Sequence, residues 1–168
     1  SGISRTFQNI RLFKELSVWQ NVWVALQKDI DQSSGWMQEW FGNSKSQKER
    51  IKEILVFSGL GDRFDDLAGN LSFGEQRRLE LARAIASKPK LVLLDEPAAG
   101  MNSDEVADLR QRILDLKELG LTVLLVEHVM ELVMNVVDRI VVLNFGKKTA
   151  EGIPQDIQKN IEVQKAYL

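Results

Sequence analysis

LSFGEQRRLELARAIASKPKLVLLDEP, residues 71–97, decides the fold of this 168-residue chain, because it joins an anion-reading helix start to an acidic strand end. Ser72 is placed to cap the helix that follows, and Glu75 lies three residues on, so Ser72-Phe73-Gly74-Glu75 reads as a capping box. Such a helix start directs free N–H groups outward, and an anion is their natural ligand. Leu91-Val92-Leu93-Leu94 then reads as a fully buried parallel strand ending in Asp95-Glu96. In α/β sheets the carboxyl ends of strands border the ligand crevice. Two adjacent carboxylates there suit Mg²⁺, which favours hard oxygen ligands, and water. The pairing points to nucleotide hydrolysis.

Outward from this stretch the pattern continues as strand, helix, strand: 91–95, 103–119 and 121–126, with Asn102 and Glu105 as a capping pair and Gly120 as the stop. Residues 140–143 read as another buried strand, and Asn144-Phe145-Gly146-Lys147 as a hairpin turn into 148–151. Pro154 opens a short helix, and the tail to Leu168 reads as helical. Upstream, Ser17 and Gln20 form a capping pair for a helix over 17–30, with Val18, Val22, Ala25 and Leu26 at helical spacing. Trp36, Met37, Trp40 and Phe41 share one apolar helical face, read as core in preference to a docking surface. Ser46 and Glu49 start a helix to about Ser58, with Ile51, Ile54, Leu55 and Phe57 as core, and Gly59 and Gly61 end it. On the helix after Ser72, Leu79, Ala82, Ile85 and Ala86 face inward. Arg77, Arg78 and Arg83, interleaved with Glu75 and Glu80, read as a solvated face.

Composition bounds the function. The 22 basic and 24 acidic residues leave a net charge of −2, so no overall attraction to nucleic acid arises and nucleic acid is not an expected partner. With no cysteine there is neither a disulfide framework nor thiolate chemistry, and one histidine excludes a His-cluster metal site. No apolar run reaches the ~18 residues of a membrane span. The most hydrophobic region, 121–143, is broken by Glu127, His128, Glu131, Asp138 and Arg139.

With those residues in view, LSFGE resembles the signature motif of ATP-binding cassette (ABC) ATPases, and LVLLDE their Walker B strand. GISRTFQNIRLFKELSVWQNV is similar to the segment around the Q-loop, and VLLVEH to the strand leading into the switch histidine. DEPAAGMN and FGKKTAEGIPQDIQKNIEVQKAYL are most similar to the LivG-type ATPases of bacterial branched-chain amino acid importers. No GxxxxGK(S/T) occurs in the chain, although in P-loop enzymes that loop cradles the β- and γ-phosphates. The expectation is therefore a chain lacking roughly the N-terminal third of a cassette, inactive by itself, rather than a protein that never had a P-loop.

The resemblance implies an α/β fold with a P-loop NTPase (RecA-like) parallel sheet core, incomplete here, and an inserted helical subdomain. Residues 17–86 would form the helical subdomain with the signature helix, and 1–16 with 87–168 the RecA-like core. It implies ATP and Mg²⁺ as ligands. Asp95 would hold Mg²⁺ through water, and Glu96 would polarise the water that attacks the γ-phosphate. Gln8 would reach Mg²⁺ or the lytic water and link the site to a membrane partner. His128 would hydrogen-bond the γ-phosphate, and Glu127 beside it has no assigned role. Ser72 and Gly74, with Glu75, would meet the γ-phosphate of ATP bound by the opposite subunit. Asn102 stands where the D-loop more commonly has aspartate, so it can cap and hydrogen-bond but not act as an acid.

The implied partners are a second ABC ATPase subunit, in a homo- or heterodimer, transmembrane permease subunits, and indirectly a periplasmic or extracellular solute-binding protein. The implied place is cytoplasmic, peripheral on the inner face of the cell membrane. Two alternatives remain at this point: a non-transport ABC ATPase working on ribosomes or DNA, and a non-catalytic remnant that only binds a partner.

Overall fold

A computed structural model describes residues 2–26 and 46–167. The chain divides into two compact units, 1–127 and 128–168. The first holds a parallel three-stranded sheet, β1 (Ile3–Arg5), β2 (Leu91–Asp95) and β3 (Thr122–Val126), in the order β1-β2-β3. Register places Arg5 beside Leu93 and Asp95 beside Val126. The parallel β2–β3 pair requires a crossover, and helix α4 (Ser103–Glu118) supplies it. Asn102 caps that helix through the Glu105 N–H, and Gly120 ends the connection at φ +79°.

Every described element between 18 and 86 is helical: α1 (Val18–Leu26), α2 (Gln47–Phe57), two short 3₁₀ turns (Gly61–Arg63 and Ala68–Asn70), and α3 (Phe73–Ala86). The Ser17–Gln20 pair exchanges both capping bonds at the start of α1. Ser46 and Glu49 do the same for α2, which stops at Ser58 before Gly59 adopts φ +67°. Val18, Val22 and Leu26, Ile51, Ile54 and Leu55, and Leu79, Ala82, Ile85 and Ala86 are all buried, as their spacing requires. Phe57 is only half-buried. Asn21 is fully buried on α1; its amide donates to the carbonyls of Phe13 and Ser17 and accepts from the Phe13 N–H, which ties down the loop that follows Gln8. The Trp36, Met37, Trp40, Phe41 face and the end of the 17–30 helix lie outside the described residues.

Two strand expectations need correction. In β2 only Val92 and Leu94 are fully buried, while Leu91 and Leu93 are half-buried. In β3, an edge strand among the described residues, Leu124 is 56% exposed and Val126 nearly as much. Apolar runs of this kind signal a sheet covered on both faces, and within the described chain one face is covered less than the other.

The second unit contains α5 (Met130–Val136), β4 (Ile140–Asn144), β5 (Lys147–Gly152), α6 (Pro154–Lys159) and α7 (Ile161–Tyr167). β4 is not a buried strand: it forms an antiparallel hairpin with β5, and Val141 and Leu143 face solvent. Val142 turns inward, packing with Ile157 and Val163, and Ile140 is partly buried against them. A lone hairpin is marginal, and the helices after it supply its buried face. Phe145 and Gly146 form its turn with φ of +46° and +75°, as a two-residue hairpin loop demands.

Leu94, 1% exposed at the end of the central strand, is the sharpest probe of the sheet. Leu94→Ala should lower stability by about 2–5 kcal/mol in equilibrium denaturation.

Candidate functional site

The chain leaves β2 through Glu96, whose φ of +44° lies in the left-handed region that non-glycine residues rarely enter. Such a conformation costs on the order of 1–3 kcal/mol and persists only when its surroundings fix it. Here they do. The Glu96 N–H donates to the Val126 carbonyl at 2.8 Å, and the Glu96 carbonyl accepts from the Ala99 N–H at 3.2 Å. Two residues beyond Glu96, the Ala98 N–H donates to Glu127 Oε1 at 2.8 Å. Glu127, to which sequence reading assigns no role, thus holds the loop that presents Glu96. Its signal was nearly invisible, because the acceptor lies 29 positions from the donor.

Gln8 and Glu96, 88 positions apart in sequence, meet directly: Gln8 Nε2 donates to Glu96 Oε2 at 2.9 Å. Asp95 accepts from Arg5 Nη2 at 2.9 Å. Arg5 is half-exposed and also lies over the Phe7 ring, so its hold on Asp95 is that of a weak, solvent-screened surface pair. Sequence reading missed Arg5, which becomes legible only once the β1–β2 pairing sets it beside the strand end. Among the described residues no group of three or more acidic, histidine or cysteine side chains could cage a metal ion. One carboxylate and one amide oxygen instead match Mg²⁺, which is commonly held by one or two protein oxygens together with substrate phosphates.

The N-terminus of α3 carries the expected capping box. Ser72 Oγ accepts from the Glu75 N–H, and the Glu75 carboxylate accepts from the Ser72 N–H. Arg63 Nε adds an ion pair to Glu75 at 3.1 Å. Burial alone would push the Glu75 carboxyl up, but the Ser72 hydrogen bonds and Arg63 outweigh it and hold it below the usual carboxylate range. Ser72 itself is exposed. Gly74 is buried for a reason beyond helix capping: a Cβ there would sit 2.1 Å from Glu105 Oε1, the side chain that also accepts from the Asn102 N–H. The helix starts marked by Ser72 and Asn102 therefore pack against each other through the missing side chain of Gly74.

The arginine face reads differently in three dimensions. Arg77 is 7% exposed and Arg83 half-buried, so these residues are not a solvated face. Buried Glu80 and main-chain carbonyls supply their partners, which a pattern of charges along one helix does not reveal. Arg78 pairs with Asp108 of α4. His128 is exposed and begins the second unit, two residues after β3 ends.

A family model described as ABC transporter matches residues 1–99. The chain belongs to the ABC transporter family. It is 41% identical to the high-affinity branched-chain amino acid transport ATP-binding protein BraF of Pseudomonas aeruginosa, over 99% of the chain and 68% of that protein. To the corresponding protein LivG of Salmonella typhimurium it is 40% identical, with the same coverage. Among solved structures, the ATP-binding cassette MJ1267 in its ADP conformation superposes with a TM-score of 0.77 at 29% identity, covering 99% of this chain and 68% of that one. The chain is thus an ABC-type ATPase with the P-loop NTPase α/β fold, and its sheet and helices are those of a cassette. No helix among the described residues is long and apolar enough to cross a membrane.

Three outcomes test this geometry. Glu75→Gln should cost about 0.3–1 kcal/mol at neutral pH. Because the folded Glu75 carboxyl lies below its ordinary 4.5, that deficit should vanish as pH falls through the folded value, as read from denaturation across that range. Gly74→Ala should destabilise the ABC ATPase, and Glu105→Ala in the same protein should remove part of that penalty in a double-mutant cycle. Glu127→Ala strands the Ala98 N–H and should cost about 1–3 kcal/mol, whereas Glu127→Gln, which keeps an acceptor, should cost less.

Proposed function

We propose that this chain is part of the ATP-hydrolysing subunit of an importer for branched-chain or other amino acids. The observation that carries the reading is the Gln8–Glu96 hydrogen bond at a strained, well-held turn at the carboxyl end of β2. The amino-acid assignment draws support from the names of the two relatives, both transport ATP-binding proteins for branched-chain amino acids.

Glu96 serves as general base: its free carboxylate oxygen takes a proton from water, the water oxygen bonds to the γ-phosphorus, and the bond from that phosphorus to the ADP oxygen breaks. Gln8 orients Glu96 through the bond already formed. Asp95, through water, and the Gln8 amide oxygen would hold Mg²⁺, which would supply neutralisation of the charge developing on the phosphates. Arg5 yields Asp95 readily, being half-exposed. His128 donates to the γ-phosphate, a role that rests on the likeness of VLLVEH to the switch strand.

Ser72, Gly74 and Glu75 mark the helix start that meets ATP held by a second ABC ATPase subunit, and Asn102 lies in the loop beside it. The exposure of Ser72 and the free N–H groups of a helix start favour that role. A helix-end contact is worth only about 0.3–2 kcal/mol, so it organises the site without supplying ATP affinity. Residues 17–86 act as the helical subdomain. Transmembrane permease subunits dock near Gln8, and a periplasmic or extracellular solute-binding protein delivers the solute. The protein works on the cytoplasmic face of the cell membrane.

In the full gene product, Glu96→Gln should abolish ATP turnover, by on the order of a hundredfold or more, while ATP still drives formation of a closed dimer. Steady-state hydrolysis together with size-exclusion chromatography in ATP checks this. Retained hydrolysis would sink the assignment of the base.

A further inference from the structure

Residues 6–10, which carry Gln8, belong to no helix or strand, yet Gln8 meets Glu96 at 2.9 Å. What fixes this stretch is α3. Arg77 Nη1 donates to the Phe7 carbonyl at 2.9 Å, and Arg77 Nη2 donates to the Gln8 carbonyl at 2.6 Å. One helical turn on, Glu80 Oε1 accepts from the Phe7 N–H at 3.4 Å, and Glu80 Oε2 accepts from Arg77 Nη1 at 3.3 Å. Both side chains are more than nine-tenths buried. Three groups of two consecutive residues are thereby held by one ion pair on one face of the helix.

Stability alone gives little reason for this arrangement. A buried ion pair loses its hydration, and replacing it by apolar residues of similar size is often neutral or stabilising. Burial indeed pushes the Glu80 carboxyl up from its usual range despite the arginine beside it. The geometry is specific to arginine, because its rigid fork reaches two carbonyls at once and a lysine ammonium presents no such fork.

We propose that Arg77 and Glu80 are positioning residues that couple the start of α3 to the Gln8–Glu96 pair of the same subunit. Arg77 lies five residues past Ser72, on the same rigid helix. A displacement of that helix when its start meets phosphate moves the Phe7–Gln8 backbone with it, and so sets the Gln8 amide on Glu96. The device links the phosphate-reading end of α3 to the water-activating carboxylate. It rests on the reading of Glu96 as the base, and the test separates the two.

The test uses the full gene product and three variants: Arg77→Met with Glu80→Met, Arg77→Lys, and Glu96→Gln. ATP turnover, KM, melting temperature and hydrogen exchange of peptides over 5–12 and 91–95 are measured for each. The Arg77→Met, Glu80→Met protein should melt close to wild type, lose on the order of tenfold in kcat with KM little changed, and exchange faster over 5–12 but not over 91–95. Arg77→Lys, which keeps the charge and loses the fork, should lose kcat in the same direction, and it carries the test if the double variant fails to fold. Wild-type kcat in the folded variants, or a loss that merely tracks unfolded protein, overturns the proposal. Glu96→Gln without turnover beside fully active Arg77 variants overturns the coupling alone. Full turnover in Glu96→Gln overturns the base reading and the coupling with it.

Discussion

The parallel pairing of β2 between β1 and β3 is the constraint on which the site depends. Its register puts Asp95 opposite Val126, so that the Val126 carbonyl receives the Glu96 N–H and turns the chain sharply into the left-handed region. The same pairing brings β1 alongside, from which the chain runs directly to Gln8. Were the strands to slip by one residue, every side chain would change face, and the Gln8 amide and Glu96 carboxylate would no longer meet. The turn at Glu96 thus inherits its geometry from main-chain hydrogen bonds.

A second tier of polar groups fixes what the sheet leaves loose. Glu127 holds the loop beyond Glu96, the Arg77–Glu80 pair holds Phe7 and Gln8, and Asn21 holds the N–H and carbonyl of Phe13. Each is a polar side chain satisfying main-chain groups that no helix or strand pairs. That is how an irregular segment is kept ordered beside a reactive centre without being absorbed into secondary structure. The cost falls on buried charge, and Glu80 shows it in a carboxyl displaced upward by burial.

What was legible in the sequence follows from the range of the forces involved. Capping boxes at Ser46, Ser72 and Asn102 are local, with donor and acceptor three residues apart, and all three formed where the spacing placed them. The β2–α4–β3 crossover and the turn at Phe145-Gly146 are likewise local signals. The meeting of Gln8 with Glu96 was expected only through resemblance, because no physical rule reaches across 88 positions. Arg5, Glu127 and the Arg77–Glu80 pair were missed for the same reason. Charges on a helix such as α3 look alike whether water or a neighbouring loop is their partner, and only the tertiary fold decides. The hydrophobic runs of β2 and β4 misled in the opposite sense, since apolar composition does not tell a strand covered on both faces from one covered on a single face or a hairpin.

The central claim is that one strand end and one helix start serve the same ATP chemistry from two subunits. A crystal structure of the full gene product carrying Glu96→Gln, with ATP and Mg²⁺, tests it most directly. The account predicts a dimer in which Ser72 Oγ and the Gly74 N–H of one subunit contact the γ-phosphate of ATP bound by the other, with Asp95 and Gln8 at that nucleotide's Mg²⁺. ATP bound away from Asp95 and Gln8, or a closed dimer in which the Ser72 helix start contacts no phosphate, would contradict it.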